Sequence, residues 1–252
     1  MYLTRKSLYG VCGHLRGRVR RYTFNYAHAN LKTLDLSTLP HPTDWQRISP
    51  HDKLIVEIGT GHGELLEHLA KMNSLKIDGA SSHLGGAFTP SSPAATPNPH
   101  LKGRTLIIGF ELVSQFARKS ARRVARFPNA QAFKAQAYEI IPKIFPKESI
   151  DETYILFPDP WHKKRHHKRR PLTAKWFDTL HKLTKPGGMV FFATDWMEYY
   201  EFVMNSINAC TSAWKVETGT YTPEKFNLPQ THYYKKWVKA GREFKYIRLE
   251  KT

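Results

Sequence analysis

Four acidic side chains follow apolar stretches of this sequence, at positions where the strands of one sheet would bring them together. They are Glu57, Glu111, Asp159 and Asp195. Each of them, considered alone, is better explained as a helix N-cap or a solvated turn residue. Ligands of open α/β sheets bind outside the carboxyl ends of the strands, so four acids at such ends indicate one binding site. Carboxylates there could accept hydrogen bonds from a ligand and stabilise positive charge that develops during a reaction.

Asp159 stands immediately before the most basic part of the chain. Pro158 and Pro160 hold it in a stiff turn after the apolar stretch 153–157. Residues 162–170 contain six Lys/Arg and three His without a single acid. An isolated run of this kind has two ordinary explanations, a solvated loop or a nuclear-import signal. Next to a candidate catalytic acid, it is better explained as a segment that brings a polyanion to the site. Its candidate phosphate contacts are Lys163, Arg165, Lys168, Arg169 and Arg170.

A glycine-rich turn follows the first of the four acids. It contains Gly59, Gly61 and Gly63, and it separates a short apolar strand from the helical pattern of residues 64–71. Glycines allow the backbone to approach a ligand closely, and the helix start presents unpaired N–H groups. The spacing differs from the dinucleotide pattern GxGxxG, and Glu57 would repel a pyrophosphate. The turn therefore favours a ligand with a cationic amino group, such as S-adenosylmethionine.

The second acid, Glu111, ends the predicted strand 105–110 and is placed to bind the ribose hydroxyls of such a ligand. It lies much farther along the chain than the roughly 20 residues that usually follow the glycine motif. The segment 73–104 accounts for the excess, since it is rich in Gly, Pro, Ser and Thr and has no hydrophobic periodicity. We predict that it is a surface insertion without regular structure.

Apolar strands alternate with helical patterns over residues 51–252. This alternation predicts a doubly wound, mostly parallel α/β sheet of the Rossmann-like type. Two late strands, 214–217 and 244–249, are predicted to form an antiparallel pair at its edge. The helical pattern 172–184 is predicted to stop at Pro186-Gly187-Gly188, before the last parallel strand. The predicted parallel strands are 54–58, 105–110, 130–135, 150–157 and 189–193.

Composition limits the possible partners. The chain has 252 residues and a formal net charge of +18, which favours a polyanion such as nucleic acid as the partner. No apolar run approaches the roughly 18 residues that span a bilayer, so a cytoplasmic protein without a membrane anchor is expected. Two cysteines without CxxC spacing indicate neither a disulfide framework nor a metal site. Residues 1–50 are predicted to be a basic arm and lead-in, which we interpret as touching nucleic acid rather than as a transit peptide.

The motifs around the four acids also resemble those of a known family. The run FPDPWHKKRHHKRR at 157–170, with EIGTGHG at 57–63 and ATDWMEYYE at 193–201, is similar to the tRNA (guanine-N7-)-methyltransferase family. The resemblance covers about residues 54–251, interrupted by the insertion, and the run after Phe157 is its most specific part. It implies a class I methyltransferase with S-adenosylmethionine as cofactor and a guanosine of the tRNA variable loop as target.

The resemblance also implies roles for individual residues. Glu57 and Glu111 would contact the cofactor, and Asp159 would lie between the cofactor and the base. Lys163 and Asp195 would contact the substrate.

Two positions depart from the pattern of the family. Gln136 stands where many relatives have an acid, and its amide oxygen could still accept from the adenine amino group. The C-terminal substrate-binding stretch begins at Thr231, but Tyr234 stands where relatives often have a glutamate, so it cannot supply a carboxylate.

Two other functions are less well supported by these residues. A methyltransferase acting on an amino group would have an Asp/Asn-Pro-Pro-aromatic motif, and Asp159-Pro160-Trp161 lacks one of its prolines. A non-catalytic RNA-binding protein would explain the charge but not the presence of both Glu57 and Glu111.

Methylation of guanine N7 needs no strong base, because N7 has a free lone pair. The sequence leaves open whether the chain acts as a monomer, as a homodimer or with an accessory subunit.

Overall fold

The computed structural model describes residues 53–74, 105–127 and 129–252. The predicted arm at 1–50 lies outside these ranges, as does all but the beginning of the predicted insertion at 73–104. A seven-stranded sheet forms the centre of the described chain, in the order β3-β2-β1-β4-β5-β7-β6. The strands are β1 Lys53–Ile58, β2 Thr105–Glu111, β3 Ala130–Lys134, β4 Ile150–Leu156, β5 Thr184–Thr194, β6 Trp214–Thr220 and β7 Lys245–Lys251.

The first five strands are parallel, and β7 is antiparallel to both β5 and β6. In register, Ile55 of β1 lies beside Ile107 of β2 and Glu152 of β4. The predicted parallel sheet with an antiparallel C-terminal edge is therefore confirmed. Because parallel strands point the same way, the carboxyl ends of β1, β2, β4 and β5 meet at one edge, which we call the carboxyl edge.

Helices cover both faces of the sheet. They are α1 Glu64–Ser74, α2 Ser114–Val124, α3 Ala137–Ile144, α4 Ala174–Leu183, α5 Met197–Asn208 and α6 His232–Val238, with short 3-10 helices at Lys164–Arg169 and Glu224–Phe226. Side chains alternate along a strand, so Leu54 and Val56 pack in the apolar cluster that contains α3, α4 and α5, whereas Ile55 packs in the cluster that contains α1 and α2. Glu57, two residues after Ile55, belongs to the face covered by α1 and α2.

The start of β5 differs from the prediction. The helix α4 ends at Leu183 as its pattern indicates, but the strand begins at Thr184 rather than at Met189. Thr184 pairs with Ile150, the next pairing joins Met189 to Glu152, and the residues between them bulge from the ladder. Gly188 lies so close to the Asp151 carbonyl oxygen that a Cβ there would approach it to 2.9 Å. The prolyl and glycyl residues therefore form a bulge within the strand instead of preceding it.

None of the helices in the described ranges is long and apolar enough to cross a membrane.

Candidate active site at the carboxyl edge

A cavity of about 550 Å³ opens at the carboxyl edge of the sheet. Four parts of the chain enclose it, namely the glycine turn after β1, the end of β2 with the start of α2, the end of β4 and the first turns of α6. Its lining residues are Glu57, Gly59, Thr60, Gly61, His62, Glu64, Leu65, Glu111, Val113, Phe116, Leu156, Phe157, Pro158, Thr231, His232, Tyr233, Lys236 and Trp237.

The glycine turn forms the floor of this cavity. Gly59 and Gly61 have φ angles of 81° and 51°, a conformation that favours glycine. A Cβ built on either residue would meet no atom within 4 Å, so both leave room for a ligand. Gly63 is packed instead, because a Cβ there would lie 2.8 Å from Cα of Ser120 on α2. The turn is therefore open on the side of the cavity and closely packed on the side of α2.

Glu57 is buried in the wall beside this turn, with 3% of its surface exposed. Its Oε2 atom is buried without a hydrogen-bond partner in the described part of the chain. Burial, followed by the nearby Glu111 carboxylate, raises the pKa of Glu57 well above its usual value of 4.5. A buried acceptor that lacks a donor is costly, and a cationic amino group would satisfy it.

Glu111 has a more complete set of partners. Its Oε2 accepts from the N–H of Gly61 at 2.9 Å, and its Oε1 accepts from the N–H of Val113 at 2.8 Å. These bonds hold the carboxylate at the mouth of the glycine turn, and each oxygen keeps a second lone pair for a hydroxyl. Glu111 can therefore accept further hydrogen bonds from the hydroxyl groups of a ligand.

An apolar wall completes this half of the cavity. Val113 is 45% exposed although it is apolar, and Phe116 lines the cavity one turn further along α2. Such surfaces suit the flat face of an adenine ring. Gln136 is exposed at the residue before α3 and does not line the cavity. The residues present, with the open glycines and the unpaired Oε2 of Glu57, fit S-adenosylmethionine.

Asp159 lies at the rim of the cavity rather than in its wall. Phe157 and Pro158 line the cavity, and Asp159 follows them with its side chain exposed. The N–H of Phe157 donates to the Ala193 carbonyl at 2.8 Å, so the pairing of β4 with β5 continues up to this turn. The N–H of Trp161 donates to Oδ1 of Asp159 at 3.0 Å and closes the turn. The structure thus brings the Asp159 turn beside the end of β5.

Asp195, directly after β5, is held by two side chains from the C-terminal region. The Tyr233 hydroxyl donates to its Oδ1 at 3.1 Å, and Arg242 donates to its Oδ2 at 2.5 Å. Only 4% of the Asp195 side chain is exposed. Of the four acids, Glu57 and Glu111 line the cavity, Asp159 lies at its rim, and Asp195 is buried beside Tyr233.

The first turn of α6 forms the wall opposite the cofactor residues. Thr231 caps the helix, because its Oγ1 accepts from the N–H of Tyr234 at 3.2 Å. Tyr234 itself is buried and packs against Phe244 with ring centroids 4.9 Å apart. Its position in the core does not support the predicted contact with substrate. The neighbouring Tyr233 lines the cavity instead, together with Lys236 and Trp237.

Sequence reasoning indicated that the stretch beginning at Thr231 binds substrate, but it did not single out these three residues, although one signal for them was present. Tyr233, Lys236 and Trp237 are spaced i, i+3 and i+4, so they share one face of a helix. It also missed His62 and His232, whose rings lie 5.1 Å apart across the mouth of the cavity.

The basic segment forms the 3-10 helix Lys164–Arg169. Lys163, Arg165, Lys168 and Arg169 are exposed, as a phosphate-binding surface requires, and Arg169 lies over the ring of Trp161 at 4.9 Å.

Arg170 differs from the other cations of this segment, because only 2% of its side chain is exposed. Its Nε donates to the Pro160 carbonyl at 2.9 Å, and its guanidinium also donates to Glu198 at 3.2 Å and packs on the ring of Tyr199. This burial does not support the predicted phosphate contact. Arg170 instead ties the Asp159 turn to α5.

No group of three His, Cys, Asp or Glu side chains within 53–74, 105–127 and 129–252 is arranged to hold a metal ion.

Solved structures share this architecture. A 16S rRNA methyltransferase described as KamB superposes with a TM-score of 0.52 at 13% identity, covering 83% of this chain and 93% of that one. A 30S ribosomal A1408 methyltransferase from an uncultured bacterium gives a TM-score of 0.50 at 15% identity, covering 84% and 94%. These similarities concern the fold alone. Fold and cavity together define a class I methyltransferase that uses S-adenosylmethionine.

A family model described as "Putative methyltransferase" matches residues 93–247, more than half of the chain. A tRNA (guanine-N(7)-)-methyltransferase of Actinobacillus succinogenes is 28% identical over 89% of this chain and 81% of its own length. Proteins of the same name from Pseudomonas putida and Hydrogenovibrio crunogenus are 31% and 33% identical, over 49% and 45% of this chain. Those two alignments span only 52% and 48% of the relatives' own length. The chain belongs to the tRNA (guanine-N7-)-methyltransferase family.

Proposed function

We propose that this protein transfers the methyl group of S-adenosylmethionine to N7 of a guanosine in the variable loop of tRNA, in the cytoplasm. The observation that carries the proposal is one cavity with two different sides. Glu57 and the glycine turn form a cofactor-binding side, and the Pro158-Asp159 turn with its basic segment forms a side that suits a nucleic acid.

On the cofactor side, each polar group has a chemically matched partner. The Glu57 carboxylate would accept hydrogen bonds from the amino group of the methionine moiety, which its buried Oε2 lacks in the described chain. Glu111 would accept from the ribose hydroxyls, and Val113 with Phe116 would contact the adenine. When bound, S-adenosylmethionine supplies an electrophilic methyl group on a sulfonium centre. The protein's contribution is to fix this methyl group near the end of β4.

On the acceptor side, the chemistry needs alignment more than proton transfer. Guanine N7 has an in-plane lone pair, so no proton is removed before it attacks the methyl group. Positive charge then passes to the purine. Asp159 would accept from the guanine N1–H and amino group, and its negative charge would stabilise the purine as it becomes cationic. The exposed cations Lys163, Arg165, Lys168 and Arg169 would bind the phosphates around the acceptor nucleotide.

The direct test is to identify the nucleoside that the protein makes. Purified full-length protein is incubated with bulk tRNA and isotopically labelled S-adenosylmethionine, and the digested RNA is separated by liquid chromatography and mass spectrometry. We expect label in 7-methylguanosine, formed about 100-fold more slowly by the Asp159→Asn variant at the same cofactor saturation. Label in a different nucleoside, or cofactor binding without any methylated product, would refute the proposal.

A further inference from the structure

Asp195 has few hydrogen-bonding positions left for a substrate. The Tyr233 hydroxyl lies 3.1 and 3.3 Å from its two oxygens, and Arg242 donates to Oδ2. The side chain is 4% exposed, so a guanine edge could reach it only if these partners moved away. Their departure would leave a buried carboxylate and would cost free energy. The contact between Asp195 and the substrate that the family resemblance implies therefore does not follow from this arrangement.

Arg242 is itself held in place. Its guanidinium lies over the ring of Trp237, 3.6 Å from the ring centroid, and one third of the side chain is exposed. Trp237 lines the cavity one helical turn after Tyr233, and the two rings are 6.2 Å apart. We call Asp195, Tyr233, Trp237 and Arg242 the Asp195 cluster. The cluster joins the end of β5 to α6 and to the chain that follows it.

The cluster also fixes the wall that faces the acceptor base. The Tyr233 ring stacks on Phe157, with centroids 5.2 Å apart and planes inclined by 13°. Phe157 is the residue two positions before Asp159, and both rings line the cavity. Burial and the Asp195 carboxylate raise the pKa of Tyr233, so its hydroxyl stays protonated and keeps donating to Asp195. The orientation of Tyr233 is thus tied to the turn that carries Asp159.

We propose that Asp195 and Arg242 are positioning residues that hold Tyr233 against Phe157, and that Asp159 rather than Asp195 reads the guanine edge. In this arrangement Tyr233 closes the acceptor side of the cavity and limits the orientations that the base can take. The inference rests on the proposed function, since it assumes that guanosine is the acceptor.

The first test is a double-mutant cycle on single-turnover methylation, at saturating cofactor and tRNA. Tyr233→Phe keeps the ring and removes the hydroxyl, whereas Asp195→Asn keeps the shape and removes the charge. We expect each to slow methylation by about 10- to 100-fold, as for a lost hydrogen bond to a charged group. Because both act on the same contact, the double variant should be about as slow as the slower single variant. Slowing effects that multiply would overturn the proposal.

The second test asks which carboxylate reads the base. Inosine lacks the 2-amino group of guanosine, so tRNA carrying inosine at the mapped acceptor position removes that contact alone. Wild-type enzyme should methylate the guanosine tRNA faster than the inosine tRNA. The Asp195→Asn variant should keep the wild-type ratio of the two rates, and Asp159→Asn should bring the ratio toward one. A ratio that is lost in Asp195→Asn and retained in Asp159→Asn would overturn the assignment.

Arg242 provides the control for a merely structural effect. Arg242→Gln should reduce the methylation rate while the calorimetric affinity for S-adenosylmethionine stays unchanged, and Arg242→Lys should restore part of the rate. Arg248→Gln, which removes an exposed arginine paired with Glu217 on β6, should change neither quantity. An equal loss of rate in Arg248→Gln, or normal methylation by Arg242→Gln, would contradict the positioning role. If wild-type enzyme forms no 7-methylguanosine, the proposed function itself fails, and that result is distinct from a changed rate ratio.

Discussion

Glu57 is buried at the end of β1, and this burial affects how its carboxylate would bind the cofactor. Its carboxylate lies in the cavity wall, near a second carboxylate and without a hydrogen-bond donor for Oε2 in the described chain. Both burial and Glu111 favour the protonated form, which raises the pKa of Glu57. A bound cationic amino group favours the ionised form. Cofactor binding should therefore be coupled to proton release.

The direction of this coupling predicts how the affinity for S-adenosylmethionine changes with pH. The usual pKa of 4.5 applies to the unfolded chain, so Glu57 contributes stability to the cofactor-free protein below that pH and loses it as the pH rises through the raised pKa. Binding of S-adenosylmethionine should tighten over the same rise in pH, with release of a proton. Glu57→Gln should abolish the proton release. Calorimetry in two buffers of different ionisation enthalpy measures it, and equal proton release by wild type and Glu57→Gln would contradict the prediction.

Glu111 allows a prediction about the magnitude of cofactor binding. Glu111→Ala removes the acceptor for the ribose and also the acceptor for the N–H groups of Gly61 and Val113. We expect the free energy of S-adenosylmethionine binding to weaken by about 1.5–3 kcal/mol, the range for a hydrogen bond to a charged group. Glu111→Gln retains an acceptor oxygen and should lose less. Titration calorimetry that gives the same affinity for Glu111→Ala and wild type would remove Glu111 from the site.

At the scale of elements, local sequence patterns predicted the parallel strands and the glycine turn because strand alternation and turn chemistry depend on neighbouring residues. Arg170 could not be distinguished from Arg169 in this way, since its burial depends on α5, which follows much later in the chain. Tyr233 and Tyr234 present the same difficulty. Which of them faces the cavity depends on how α6 meets the ends of β4 and β5, and a residue pattern does not contain that information.

The buried position of Arg170 predicts that it supports the Asp159 turn and not the RNA contact. Arg170→Met keeps much of the apolar stem but leaves the Pro160 carbonyl without its buried donor. We expect the free energy of unfolding to fall by about 1–3 kcal/mol, as for a buried group that loses its partner. Single-turnover methylation should fall as well, because the turn is less well fixed. Urea denaturation measures the first effect. A variant of full stability and normal rate would show that the anchor is dispensable.

At the scale of the whole molecule, the charge of +18 predicts salt-dependent binding of tRNA. If Lys168 contacts a phosphate, Lys168→Ala should reduce the slope of log affinity against log salt by about 0.7–0.9. Asp159→Asn should leave tRNA affinity unchanged or slightly higher while it slows single-turnover methylation by about 100-fold. Filter binding across a salt series measures the slope.

A matched control for Lys168 lies on β6, which is the outermost strand of the sheet. Lys215 on β6 is also exposed, and Lys215→Ala should keep the wild-type slope. An unchanged slope for Lys168→Ala would make Lys168 a solvated charge without a role in binding. The same comparison with Arg170→Met separates the anchor from the interface, because we expect that variant to keep the wild-type slope.

The cavity lies at the carboxyl ends of the parallel strands, and the connection between α1 and β2 lies at their amino ends. The helix α1 runs back from the glycine turn and ends at Ser74, and β2 begins at Thr105 beside Lys53, the first residue of β1. Both ends of the connection between Ser74 and Thr105 therefore lie at the amino ends of the strands, on the side of the sheet opposite the cavity. A change in the length of this connection is therefore expected to leave the residues of the cavity in place. The same point of the chain is a suitable place to graft a fluorescent reporter into an active enzyme.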